Sequence, residues 1–190
     1  MTIQEQAILD LARFLEGASV PYMVIGGIAN AVWGEPRATL DVDVTVWVDE
    51  PAIPSLVERF ARQFQLRVQD PVAFISQTRV LPLFHRDGTG IDVIFGLLSF
   101  EKEAIDRAVP ITLANGSFRA CTSEDLLLMK ILSERPQDLK DAEAIARRRF
   151  AALDSTYLEP RLRELAALLE RPEILARWKM WTARSVSEAD

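Results

Sequence analysis

Cysteine and histidine occur once each in this chain of 190 residues, and their scarcity excludes several classes of protein. Cys121 alone cannot form an internal disulfide, which fits a reducing compartment. With His85 the sole imidazole, no zinc site of the cysteine-and-histidine type can be assembled. Long apolar runs are missing too: none reaches the ~18 residues of a membrane span. The opening segment MTIQEQAILDLARFLEG reads as an amphipathic helix with acidic residues and no cationic start, unlike a signal peptide. A cytoplasmic protein with no membrane partner is therefore expected. There is no repeat and no low-complexity segment. What remains is a globular balance, 49% apolar and 26% charged, enough for one domain or a compact domain with a helical appendage.

A strongly basic nucleic-acid footprint is also lacking, since the net charge is −6. Residues 1–118 hold 9 Lys and Arg against 15 Asp and Glu, whereas residues 119–190 hold 13 of each. The acidity thus lies in the first part, where bound cations would offset some of it. Arg147-Arg148-Arg149 is the only dense basic cluster in the sequence. It could serve a nucleic-acid acceptor, but arginines near a helix C-terminus also complement the helix dipole.

The most informative stretch runs from Val24 to Val48, VIGGIANAVWGEPRATLDVDVTVWV. It reads as a strand stub over 21–25, a Gly26-Gly27 turn, a short helix over 28–33, a break at Gly34-Glu35-Pro36, and a strand over 38–48. Side chains alternate faces along a strand. Leu40, Val42, Val44, Val46 and Val48 therefore share an aliphatic face, and Thr39, Asp41, Asp43 and Thr45 share a polar one. Asp41 and Asp43 stand about 7 Å apart on that face. Carboxylates so placed can share divalent cations ~3.5–4 Å apart, as in two-metal phosphoryl transfer. Gly26-Gly27 opens a helix whose bare N–H groups can receive a phosphate. The plain alternative is a tight turn followed by a solvated sheet face. Against it, aspartate is depleted in strands and two on one face repel.

Further along, residues 79–85 and 91–95 read as a hairpin around Asp87-Gly88-Thr89-Gly90. Within Ile91-Asp92-Val93-Ile94-Phe95, packing explains the apolar residues but not Asp92, a candidate third carboxylate beside the Asp-x-Asp strand. His85, at the end of its strand, reads as a surface or hairpin residue. A second hairpin is expected over 109–120, and a helix over 123–132 with capping chemistry at Thr122-Ser123-Glu124-Asp125. Lys130 stands out in LLLMKIL; a lysine there either snorkels outward or serves a ligand. Pro136 and the acidic Asp138 and Asp141 suit the start of the next helix. Helices over 155–170 and 173–184 follow, the latter pairing Trp178 with Trp181 on one packing face.

The order of these motifs resembles the nucleotidyltransferase superfamily related to DNA polymerase β. Within it, GGIANAVWGEPRATLDVDV, with Arg37, Thr39, Asp41 and Asp43 at alternate positions, looks most like the branch of AbiEii-type abortive-infection toxins and their bacterial relatives. The resemblance covers ~25 residues tightly and the remainder loosely. It implies an α/β fold: a nucleotidyltransferase-like small mixed sheet with flanking helices over residues 1–121, then a C-terminal helical region over 122–190 packed on it. It further implies two Mg²⁺ ions held by Asp41, Asp43 and Asp92, with Gly26, Gly27, Arg37, Thr39 and Lys130 on the NTP. Lys130 would contact the triphosphate, and the Arg135-Pro136-Gln137-Asp138-Leu139-Lys140-Asp141 segment matches a motif that follows this lysine. The expected reaction transfers a nucleoside monophosphate to an acceptor hydroxyl of RNA, a tRNA end or a protein, in a toxin with an antitoxin partner. A small-molecule, antibiotic-type acceptor would use the same core. Two rivals stand beside it. One is a metal-dependent glycosyltransferase, disfavoured by the Gly-Gly helix upstream and Asp92 downstream. The other is a non-catalytic binding module, disfavoured by three mutually repelling carboxylates.

Overall fold

The branched aliphatic residues flanking the two aspartates form the centre of a sheet. Val42, Val44 and Val46 are fully buried, as are Ile91 and Val93 on the neighbouring strand. Each such side chain contributes on the order of 1.5–3 kcal/mol by leaving water. The structure, a computed structural model, describes residues 3–39 and 41–187. Their elements in chain order are α1 (Ile3–Gly17), β1 (Tyr22–Val24), α2 (Gly26–Trp33), β2 (Asp41–Val46), α3 (Ile53–Ala61), β3 (Gln65–Leu66), α4 (Pro71–Thr78), β4 (Val80–Phe84), β5 (Gly90–Phe95), α5 (Ser99–Arg107), β6 (Val109–Leu113), β7 (Gly116–Ala120), α6 (Ser123–Leu132), α7 (Pro136–Arg149), α8 (Ser155–Leu168) and α9 (Glu173–Ser187).

Residues 1–29 and 38–121 form one compact unit, and residues 30–37 with those from Thr122 onward form a second. The first is built on a mixed sheet which, among the described residues, runs β3-β4-β5-β2-β1-β7-β6. β2 pairs parallel with β5 and β1 with β7, while the remaining neighbours are antiparallel. Ile8, Leu11 and Leu15 of α1 and Phe60 of α3 pack with the aliphatic face of β2 and β5 in one core. Phe14, Phe60 and Phe64 join it as a cluster with ring centroids 4.5–5.9 Å apart. The α/β expectation holds, but β3 was not foreseen, because two residues give no alternation to detect. β2 is also shorter at both ends than the 38–48 stretch.

His85 departs from expectation. It is buried, with Nε2 3.0 Å from Asp10 Oδ2 and Nδ1 2.7 Å from Asp87 Oδ2. His85 follows Leu81 and Leu83 on the core-facing side of β4, which is why it points inward.

The second unit is helical. Thr122 caps α6 by accepting from the Asp125 N–H, and Asp154 caps α8 by accepting from Thr156 and Tyr157. Trp178 and Trp181 of α9 are both buried.

Candidate active site

The parallel pairing of β2 with β5 sets the carboxylates. Asp41 lies opposite Gly90 and Asp43 opposite Asp92, in register. Parallel neighbours sit about 4.8 Å apart and residues in register share a face. Asp41, Asp43 and Asp92 therefore emerge together, on the face turned away from the buried valines. Like charges abreast on a sheet destabilise it by roughly 0.2–1 kcal/mol per pair. Packing does not call for this arrangement.

Two glycines make room for it. A Cβ on Gly26 would lie 2.0 Å from Asp43 Oδ2, and one on Gly90 would lie 2.1 Å from Asp41 Oδ1. Gly26 also has φ +63, the left-handed region. The expected turn is thus tighter than a loop before a helix: α2 starts at Gly26 itself. Gly27 comes as close to the strand entry, since a Cβ there would stand 2.5 Å from Thr39 Oγ1. Thr39 is fixed in turn by its hydroxyl donating to the Asp41 carbonyl at 3.2 Å and by Gln4 donating to its own carbonyl at 2.7 Å. Gly26→Ala should cost at least ~1–2 kcal/mol from left-handed backbone strain alone, besides displacing Asp43. Thermal melting against Gly17→Ala checks this, because a Cβ at Gly17 would meet nothing within 4 Å.

Burial pushes the Asp92 carboxyl above its ordinary range and the Asp41 charge adds to this, while Arg67 opposes both. Arg67 is a residue the sequence did not reveal. It follows β3, its guanidinium lies 4.7 Å from the Phe84 ring centroid, and its Nη1 stands 3.7 Å from Asp92 Oδ1. Nothing in Gln65-Leu66-Arg67-Val68 marks it, since only the unforeseen pairing of β3 with β4 brings it there.

The donor set suits Mg²⁺: three carboxylates offer hard oxygens on one face. Among the described residues, no group of three or more His, Cys, Asp or Glu side chains converges closely enough to hold an ion by itself. Mg²⁺ ordinarily takes one or two carboxylates and completes its octahedron with water and substrate phosphates.

Lys130 and Arg37 lie in the helical unit. Lys130 does not snorkel: its side chain is 7% exposed, and Nζ donates to Asp138 Oδ1 and Asp141 Oδ2, each at 2.8 Å. Arg37 Nη2 reaches Asp141 Oδ2 at 3.4 Å, and Ser133 and Gln137 donate to the remaining oxygens of Asp138 and Asp141. This network answers the Lys130 charge without a phosphate. It also uses Asp138 and Asp141 for more than starting α7. Two of the three clustered arginines are engaged as well, Arg147 on Glu35 at 2.8 Å and Arg149 over the Trp33 ring at 5.3 Å.

No protein-family model matches the chain, and no curated protein sequence does. Solved structures do match. An antigenic nucleotidyltransferase-like protein from Paracoccidioides brasiliensis is 20% identical with a TM-score of 0.51, over 92% of this chain and 91% of that one. The chain has the nucleotidyltransferase fold. The solution structure of the antibiotic-resistance factor ANT(2'')-Ia agrees, at 13% identity and TM-score 0.56, covering 90% of this chain and 98% of that one. So does a crystal structure of ANT(2'')-Ia with adenylyl-2''-tobramycin, at 14% and 0.51, covering 96% and 99%. At these identities the shared property is the fold.

Proposed function

We propose that the chain is a Mg²⁺-dependent nucleotidyltransferase that moves a nucleoside monophosphate from an NTP to an acceptor hydroxyl. One observation carries this reading: Asp41, Asp43 and Asp92 share a face of two in-register strands, with Gly26 and Gly90 keeping space open around them. Asp41 and Asp43 would hold two Mg²⁺ ions, with Asp92 on the acceptor side; bound there, the metal supplies charge neutralisation for the triphosphate and polarises the reacting oxygens. Gly26 and Gly27, at the start of α2, present backbone N–H groups to the phosphates. Asp92 orients the acceptor hydroxyl and takes its proton. The acceptor oxygen bonds to the α-phosphorus, the bond from that phosphorus to the β-phosphate oxygen breaks, and pyrophosphate leaves.

RNA is the acceptor we favour, with a toxin role and an antitoxin partner, because the stretch from Gly26 to Asp43 resembles the AbiEii-type branch. A small-molecule acceptor is the second reading, favoured by the net charge of −6, which suits a cationic antibiotic. Label transfer from NTP to RNA, compared with transfer to an aminoglycoside, separates the two. Asp41→Asn with Asp43→Asn tests the metal assignment. Both face away from the core, so the double variant should fold and melt at or above the wild-type temperature, yet lose Mg²⁺-dependent NTP binding. Unchanged affinity for NTP with Mg²⁺ in the double variant would sink the assignment.

A further inference from the structure

The sequence offers one dense basic cluster, and the helical unit engages two of its three arginines internally. The fold assembles another from residues far apart in the chain. Arg13 on α1, Arg59 on α3, Arg62 just after it, and Arg86 in the β4–β5 turn are all exposed and line two adjoining cavities. The cavities are about 360 and 280 Å³ and share Arg13, Phe14 and Gln63. Four of the nine Lys and Arg in the acidic residues 1–118 thus gather at one groove.

Within the groove, Arg13 and Arg86 are answered by one carboxylate, and Arg59 and Arg62 are left over. Asp10 is its one carboxylate, and its oxygens already take Gln6 and His85 at 2.9 and 3.0 Å, Arg86 at 3.1 Å and Arg13 beside them. The buried His85 and the Phe14–Phe64 edge contact, 5.6 Å between centroids, give the floor a fixed shape. Arg59 leans over Phe14 at 5.9 Å, and neither it nor Arg62 has a carboxylate partner among the described residues. Arginines at the end of α3 complement its dipole. That effect does not require α1 and the hairpin to direct two more to the same place.

Phe14 and Phe64 are too buried to stack a base, so the groove offers guanidinium forks and little else. Forks of this kind match phosphate oxygens. Its β4–β5 border turns directly into Gly90, the register partner of Asp41. The groove lies on the helix-covered side of the sheet, opposite the carboxylates, and neither cavity includes Asp41, Asp43 or Asp92; the β4–β5 turn, at the end where the carboxylate-bearing strands begin, is the border a bound strand would pass to reach them.

We infer that this groove holds the phosphodiester backbone of single-stranded RNA while the acceptor end reaches the carboxylate face. The inference rests on the nucleotidyltransferase reading for the acceptor's purpose, but the groove is testable without catalysis. The probe is a short fluorescent single-stranded RNA, titrated with the full chain by anisotropy over a range of salt. Binding should weaken steeply with salt, by a log–log slope of ~0.7 per phosphate contact. Arg59→Gln with Arg62→Gln should reduce that slope by ~1.4 and the affinity by roughly tenfold, with melting unchanged because glutamine suits an exposed helix. The Arg59→Lys, Arg62→Lys pair, which keeps the charge, should restore most of the slope. NTP binding with Mg²⁺ should be equal in all three proteins. Equal RNA affinity and slope in wild type and the glutamine pair would overturn the groove, as would absence of RNA binding by the wild type. Anionic lipid vesicles bound as tightly as RNA, with the same arginine dependence, would overturn the choice of ligand. If instead the wild type binds RNA through these arginines but shows no Mg²⁺-dependent NTP binding, the groove stands and the nucleotidyl reading fails.

Discussion

Lys130→Met should destabilise the protein by ~3–5 kcal/mol, the cost of breaking a buried ion network by removing one partner. From the sequence alone the same change looks harmless, because LLLMKIL offers methionine apolar neighbours. The structure reverses this. Asp138 and Asp141 are 9% and 5% exposed at the side chain, and Lys130 donates to both. Burial raises the pKa of each aspartate, but hydrogen bonds from Lys130, with Ser133 on Asp138 and Gln137 on Asp141, outweigh it and hold both below the ordinary carboxylate range. Groups of this kind stabilise the fold above their unfolded value of ~3.9 and lose that contribution as pH falls through the lower folded values. Two measurements follow. At neutral pH the melting temperature of Lys130→Met should fall by on the order of 10 °C. Adding Asp138→Asn and Asp141→Asn to it should recover part of the loss, since no buried charge is then left unpaired and Arg37 and Arg135, which lose a partner, are exposed. An unaltered melting temperature in the single variant would mean that the network contributes nothing.

The sequence revealed the parts of the candidate site that lie along one strand and hid those that depend on pairing between strands. Alternation placed Asp41 with Asp43 and Asp92 with Ile94 on their faces, because period two is a local property. That Asp92 stands abreast of Asp43, and not one residue off, is a matter of register between β2 and β5, which no single strand encodes. Gly90 looked like turn chemistry, and its second use, clearing space for Asp41, follows from the same register. Arg67 and the arginine groove were hidden for a related reason. Their members come from β3, α1, α3 and a hairpin turn, so a count of local charge density finds only residues 147–149. The surroundings of Lys130 were hidden for another reason. Its neighbours along the helix are apolar, but its partners come from α7, and a buried cation with two buried anions looks the same in sequence as a surface lysine. The fold class was legible because it rests on burial patterns and turn residues, both written locally.

Asp92→Asn should leave NTP binding intact and reduce transfer by ~10²–10⁴-fold, the usual weight of a positioned general base. Asparagine keeps the shape and one oxygen, so the strand and the opening beside it are undisturbed. It cannot take the proton of the acceptor hydroxyl. Stability should hold or rise slightly, because the change removes a carboxylate that burial and the Asp41 charge already hold above its ordinary range. In the wild type, protonation of this carboxyl sets the acidic side of the pH profile, and bound Mg²⁺ would draw that limb below its metal-free position. Transfer falls as the carboxyl protonates and ceases to be a base. In the variant this acidic limb should flatten. Arg67 provides the internal control, since it stands 3.7 Å from Asp92 and opposes the upward shift. Arg67→Gln should move the acidic limb to higher pH while leaving NTP affinity alone. Pyrophosphate release with an RNA acceptor across pH, beside NTP titration and melting for each variant, reads all three effects. Transfer by Asp92→Asn at near the wild-type rate, with an unchanged pH profile, would reduce Asp92 to a surface residue on its hairpin and leave Asp41 and Asp43 as the only carboxylates of the site.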